Sequence, residues 1–256
     1  MCHREKGGMS LELIEDYLCG ILEKYCEDEN CDKEELSGIR AIGIVESIWS
    51  EIENLRPDIA NKLGRDEIEK CAGYTLFLDN ETAVILIDKV FYFDSIRKNF
   101  CWIEVLIHEI THYRDFKSHL GIFGNNTYDS MLKCYPFWYW AEFHARYKGT
   151  LHMLNYVNRM PDDTRKKYET DMMERLDDEI VFIISDADKK MRCYHFMHLL
   201  GDIAAYNEKG FKIQSEPIKK FFPDYLDYID FLKSKNQTVD INFFTVLQYH
   251  LEKNIP

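Results

Sequence analysis

No proline interrupts the chain between Asp94 and Tyr135, and the middle of that stretch reads His108-Glu109-Ile110-Thr111-His112. Just before it stand Trp102, Val105, Leu106 and Ile107, spaced to bury one face of a helix. With nothing to break the turn, His108 and His112 share a face, four residues apart. Two imidazole nitrogens can then aim at one ion. Glu109 sits one position on, close enough to hold a water on such an ion and accept its proton. The pattern therefore demands a helix here, partly buried, with titratable groups along it. The plain alternative is a packed helix whose histidines hydrogen-bond to their neighbours.

A catalytic zinc usually takes three protein ligands and leaves one position for water. One known continuation would place a glycine at position 115 and a histidine at position 118. Those positions hold Asp115 and Ser118, and His119 comes one residue late, so that pattern fails. A glutamate from a later helix is the other route. Trp140-Ala141-Glu142-Phe143-His144-Ala145 supplies one, flanked by the apolar Phe137, Trp138 and Tyr139. Such flanks predict burial, and a buried carboxylate needs a partner or a metal. Glu142 is then either the third ligand or the partner of Arg146, four residues on along the same face. His144 lies off that face and is the next choice if Glu142 is not the ligand.

The segments Ile107-His108-Glu109-Ile110-Thr111-His112-Tyr113 and Trp140 to Ala145 together resemble the gluzincin group of metallopeptidases. Within it, the chain is most similar to the small intracellular ImmA/IrrE-type metallopeptidases of bacteria and mobile elements. The resemblance spans roughly residues 74–154, and His-Glu-x-x-His is its specific part. It implies His108, His112 and Glu142 as ligands of one Zn2+ per chain, with Glu109 as general base. It also implies a small sheet before the metal helix, whose edge strand can hold an extended peptide. The chain departs from the group at Arg146, where many gluzincins carry an acid that steadies a histidine. That leaves the subfamily open.

Composition narrows the setting. The chain has 256 residues, 46% hydrophobic and 14% aromatic, enough for a substantial core. A net charge of −13 argues against a phosphate-backbone partner, so no nucleic acid is expected. No apolar run reaches membrane-span length, and Met1 to Gly8 has no signal-peptide core. A cytoplasmic protein with no membrane partner is expected. The eight cysteines are scattered; only Cys26 and Cys31 sit close, with no second pair to complete a zinc knuckle. Reduced thiols suit that compartment.

Periodicity predicts helices over Ser10 to Glu27, with Ser10 as cap, and over Glu35 to Leu55, ending before Pro57. Tyr74 to Leu78 and Ala83 to Ile87, around Asp79 to Thr82, predict a β-hairpin. Gly121 to Thr127 reads as a loop. Thr164 to Lys190 reads as a long helix buried in its middle by Val181-Phe182-Ile183-Ile184. Met191 to Tyr206 continues it, and a packed helix from Pro217, the polar turn Ser234 to Gln237 and a last helix over Ile241 to Leu251 follow. The fold expected is α+β and mostly helical: a zincin-like core with a small antiparallel sheet and the His-Glu-x-x-His helix, extended by C-terminal helices. It is read as one domain over 1–256, with N-terminal helices (1–70), sheet and metal helices (71–160) and a C-terminal helical lobe (161–256).

The function expected is zinc-dependent hydrolysis of a peptide bond in a peptide or protein substrate. Tyr113, Tyr139, His195 and His198 are the candidates to steady the oxyanion. Glu104 and Asp115 are sequence-near partners for the ligand histidines' outer nitrogens, and Arg146 stands beside them as the residue in the acid's place. The competing reading is a non-catalytic zincin-like regulatory or protein-interaction module. The intact Glu109 favours the enzyme, because a scaffold needs no base there.

Overall fold

The computed structural model describes residues 11–96, 100–122, 127, 131, 133–211, 213, 215–233 and 239–255. Ser10, most of the 121–127 loop and the polar turn at 234–237 fall outside them. The chain divides into two compact units, Met1–Lys117 and Ser118–Pro256.

The first unit begins with helix α1 (Leu11–Glu29). A single 3-10 turn, Lys33–Leu36, follows, closed by a capping box between Asp32 and Glu35. Then comes a strand, β1 (Ile39–Val45), before helix α2 (Ile48–Leu55). A single helix over 35–55 is thus incorrect. Ile39, Ile42, Ile44 and Val45 are β-branched and favour a pleated surface over a helix. Ser47, whose side chain accepts from the Ser50 amide, starts the helix late. Two short helices, α3 (Pro57–Ala60) and α4 (Arg65–Ile68), lead to β2 (Gly73–Phe77) and β3 (Ala83–Asp88).

The hairpin forms as the sequence implies: β2 and β3 pair antiparallel, with Phe77 opposite Ala83 and Gly73 opposite Ile87. Asp79 organises the turn by accepting from the amides of Glu81 and Thr82. The sheet is not purely antiparallel, however. β1 pairs parallel to β3, and the order β1-β3-β2 makes the sheet mixed, with β2 at an edge. The unbroken apolar run Ala83 to Ile87 suits this central position, and all five residues are buried.

Alternation along β2 gives its two faces different jobs. Leu76 packs with Ile48, Trp49 and Ile52 of α2, and Tyr74 adds to that cluster. Gly73, Thr75 and Phe77 turn the other way, onto helix α6 (Cys101–His119), which follows α5 (Lys89–Ile96). Phe77 stacks on Tyr113 at 5.9 Å and tilts onto Phe116 at 5.6 Å. Gly73 is needed for this approach, since a Cβ there would stand 2.5 Å from Val105 Cγ1.

The second unit is built of helices: α7 (Tyr135–Val157), α8 (Asp162–Ser185), α9 (Lys189–Glu208), α10 (Glu216–Phe221), α11 (Tyr225–Lys233) and α12 (Ile241–Asn254). α7 and α9 pack most closely. Gly201 lets them meet: a Cβ there would lie 2.8 Å from the Phe143 carbonyl oxygen and 2.9 Å from the Tyr147 amide. The expected long helix over 164–190 stops at Ser185, and Asp188 caps a new one by accepting from the Lys190 amide. Its middle is also less buried than Val181-Phe182-Ile183-Ile184 suggests. Ile183 is fully buried, whereas Val181 and Phe182 are 58% and 48% exposed. A helix buries one stripe, here Met172, Leu176, Ile180 and Ile183, and four consecutive residues point all round it. The segment from Pro217 forms two short helices, α10 and α11, broken at Phe222 to Asp224. Among the described residues, no helix is long and apolar enough to cross a membrane.

Candidate metal centre

α6 carries His108 and His112 four residues apart, and their Nε2 atoms approach to 2.9 Å. Two imidazole nitrogens this close cannot both present lone pairs without repulsion, so a proton or a cation must lie between them. His112 is 9% exposed. Glu142, on α7 and 6% exposed, offers a carboxylate oxygen. One ligand atom from each of His108, His112 and Glu142 lies within 4.8 Å of the others, and this group could hold a metal ion. Two nitrogens and one oxygen suit a borderline ion better than a hard, all-oxygen cation such as Mg2+ or Ca2+.

Glu109 is positioned from the sheet. The helix turns about 100° per residue, which swings Glu109 off the histidine face toward β2. There the Thr75 hydroxyl lies 2.8 Å from Glu109 Oε2 and 2.8 Å from the Glu109 backbone oxygen. Both residues are buried. The other oxygen, Oε1, faces Gly73, where a Cβ would come within 3.1 Å of it. Neither Thr75 nor Gly73 belongs to a motif that marks it for this role. Strand alternation places both on one face of β2, but nothing local says which helix that face meets.

In the second unit, His198 Nε2 lies 2.8 Å from Glu142 Oε2. Arg146 forks onto Asp202 of α9, at 3.0 Å from Nε and 3.1 Å from Nη2. Arg175 (2.9 Å) and the Thr150 hydroxyl (2.6 Å) complete the shell of that fully buried carboxylate. Burial pushes the Asp202 carboxyl up, but the two guanidiniums and Thr150 overcome it and hold it at about 2.

The remaining residues distribute as follows. Tyr113 directs its hydroxyl to the Glu81 carbonyl in the β2–β3 turn, where Lys117 donates to it. Tyr139 stacks against Tyr135, and burial raises its phenol well above the ordinary range. His195 faces Glu179, with 3.7 Å between Nδ1 and Oε1, and sets its ring on Phe182. Burial works to raise the Glu179 carboxyl, but the nearby His195 ring and the Arg146 charge lower it. Glu104 and Asp115 are buried on α6, 2% and 5% exposed. His144 stacks on Trp140 at 5.1 Å. Cys26, Cys31, Cys134 and Cys193 carry thiols and are not joined in disulfides.

No protein-family model, no curated protein and no solved structure matches this chain.

Proposed function

We propose that the protein is a zinc-dependent peptidase, with His108, His112 and Glu142 holding one zinc ion and Glu109 as general base. The observation that carries this reading is the gathering of the three ligand atoms within 4.8 Å. The buried Glu109 one residue from His108 supports it. A zinc ion held there would acidify a bound water and polarise the scissile carbonyl. The resemblance to gluzincins, and within them to ImmA/IrrE-type enzymes, agrees with the same roles. A cytoplasmic setting and a peptide or protein substrate belong to this proposal too.

The chain's own residues divide the remaining work. The Thr75 hydroxyl, shared between Glu109 Oε2 and the Glu109 backbone oxygen, orients the carboxylate that would take the water proton and pass it to the leaving amine. His198 holds Glu142 by one carboxylate oxygen, which orients the other. Among the four oxyanion candidates, His198 contacts a proposed ligand, Glu142. β2, as an edge strand, offers backbone donors and acceptors to an extended peptide.

The test combines metal content with turnover. Purified protein should carry one zinc by elemental analysis and cleave members of a peptide mixture read by mass spectrometry. Glu109→Gln should keep the zinc and lose cleavage by about 10²–10⁴-fold. Cleavage at the wild-type rate in Glu109→Gln, or zinc content unchanged in His108→Ala, would overturn the assignment.

A further inference from the structure

The second unit contains a cavity of about 550 Å³ walled by the first turns of α7 and α9 and by one face of α12. That volume lies within the range of about 300–1,000 Å³ used by small-ligand sites. Its walls have two characters. Tyr139, Phe244 and Leu251 are buried and give it an apolar floor. Lys133, Lys189 and Lys190 line it as well, against one acid, Glu252. Three ammonium groups around one cavity are notable in a chain whose net charge is −13.

These lysines are fixed in part. Lys190 donates to the Tyr135 hydroxyl at 2.9 Å and lies 4.4 Å from that ring's centroid. Lys189 donates to the Glu252 backbone oxygen at 2.9 Å. The start of α7 adds to the same potential, whereas α9 and α12 begin on the carboxylates of Asp188 and Asp240. The Cys134 side chain does not cap α7, so the positive end of a 23-residue helix meets the cavity. Apolar walls and a cationic rim match a molecule with an apolar body and one negative head.

We propose that this cavity is a binding site for a small amphipathic anion. Its apolar chain or ring lies against Tyr139, Phe244 and Leu251, and its single anionic headgroup meets Lys133, Lys189 and Lys190. The site is distinct from the metal centre and stands whether or not the peptidase reading does.

Calorimetric titration of the full chain with decanoate, decyl phosphate and decanol tests this. At least one of the two anions should bind saturably, one per chain, and at least tenfold more tightly than the neutral alcohol. The tighter of the two identifies the headgroup as carboxylate or phosphate. Lys133→Gln combined with Lys190→Gln should weaken that anion at least tenfold with the helical circular dichroism unchanged. Cys134 provides a reporter that needs no substitution, because its thiol lines the cavity. The bound anion should slow Cys134 alkylation at least fivefold, read peptide by peptide, and leave Cys71 in the first unit unchanged. Equal binding of decanol, no saturable binding of either anion, or unprotected Cys134 at saturating anion would overturn the proposal.

Discussion

On α6 the two histidines stand four residues apart and their Nε2 atoms come within 2.9 Å. On α9, His195 and His198 stand three apart, and their ring centroids lie 6.5 Å apart at 81°. A four-residue step carries a side chain about 40° past a full turn, and a three-residue step leaves it about 60° short. The small difference in spacing is widened by the neighbours. His195 is drawn to Glu179 and His198 to Glu142, two carboxylates on different helices. The first pair converges on one point, and the second diverges to serve two acids. A histidine pair therefore reads as a ligand set by its spacing only when nothing buried nearby claims each ring separately.

The largest effect that separates the two pairs is on metal affinity. His108→Ala should reduce zinc affinity by far more than the ~10–100-fold that follows loss of a ligand's hydrogen-bond partner. His195→Ala should leave it within about threefold. Competition titration against a zinc chelator reads both, and comparable losses would erase the distinction between the pairs.

Next comes the buried network that anchors α9. Asp202→Asn strips a buried acid of its charge and takes from Arg146, 18% exposed, the carboxylate it forks onto. The expected loss is about 3 kcal/mol in chemical denaturation. Arg175 is 40% exposed and contributes little to that figure. The same carboxyl predicts a pH dependence. Its folded value of about 2 lies below the ordinary 3.8, so its stabilisation is complete above pH 4. It is lost as the pH falls through that window toward 2. Asp202→Asn should flatten the stability–pH curve there, and an unchanged curve would remove Asp202 as its source.

A smaller effect distinguishes the two members of the α9 pair. His198→Ala should lower zinc affinity by about tenfold, because Glu142 loses the group at 2.8 Å that orients it. His195→Ala should not. The smallest effect concerns Glu109, the proposed base. Thr75→Val removes the hydroxyl from Glu109 Oε2. The hydroxyl is shared with the Glu109 backbone oxygen, so its loss should cost about 0.5–1 kcal/mol and slow cleavage by about two- to fivefold while bound zinc stays at one per chain. Simultaneous loss of metal would mean that Thr75 supports the helix rather than Glu109.

Much of the molecule is legible in its sequence. The His108/His112 helix follows from spacing and the absence of proline, and the hairpin follows from two apolar runs around Asp79 to Thr82. The α+β, mostly helical class follows as well. β1 is hidden because Glu35 to Leu55 fits a helical period as well as an extended one. Only pairing with β3, far along the chain, separates them. The exposure of Val181 and Phe182 is hidden for a related reason: composition does not say which side of a helix meets a neighbour.

By itself, then, the sequence determined what is local: which residues share a helix face, where a turn closes, and which acid follows which histidine. Tertiary structure alone decided the partners. It set Arg146 on Asp202 and His198 on Glu142. It also placed Thr75 under Glu109. Helix and strand periodicities are properties of a few neighbouring dihedrals. The pairing of buried charges depends on which distant groups share the same low-dielectric space, and no short stretch of sequence carries that information.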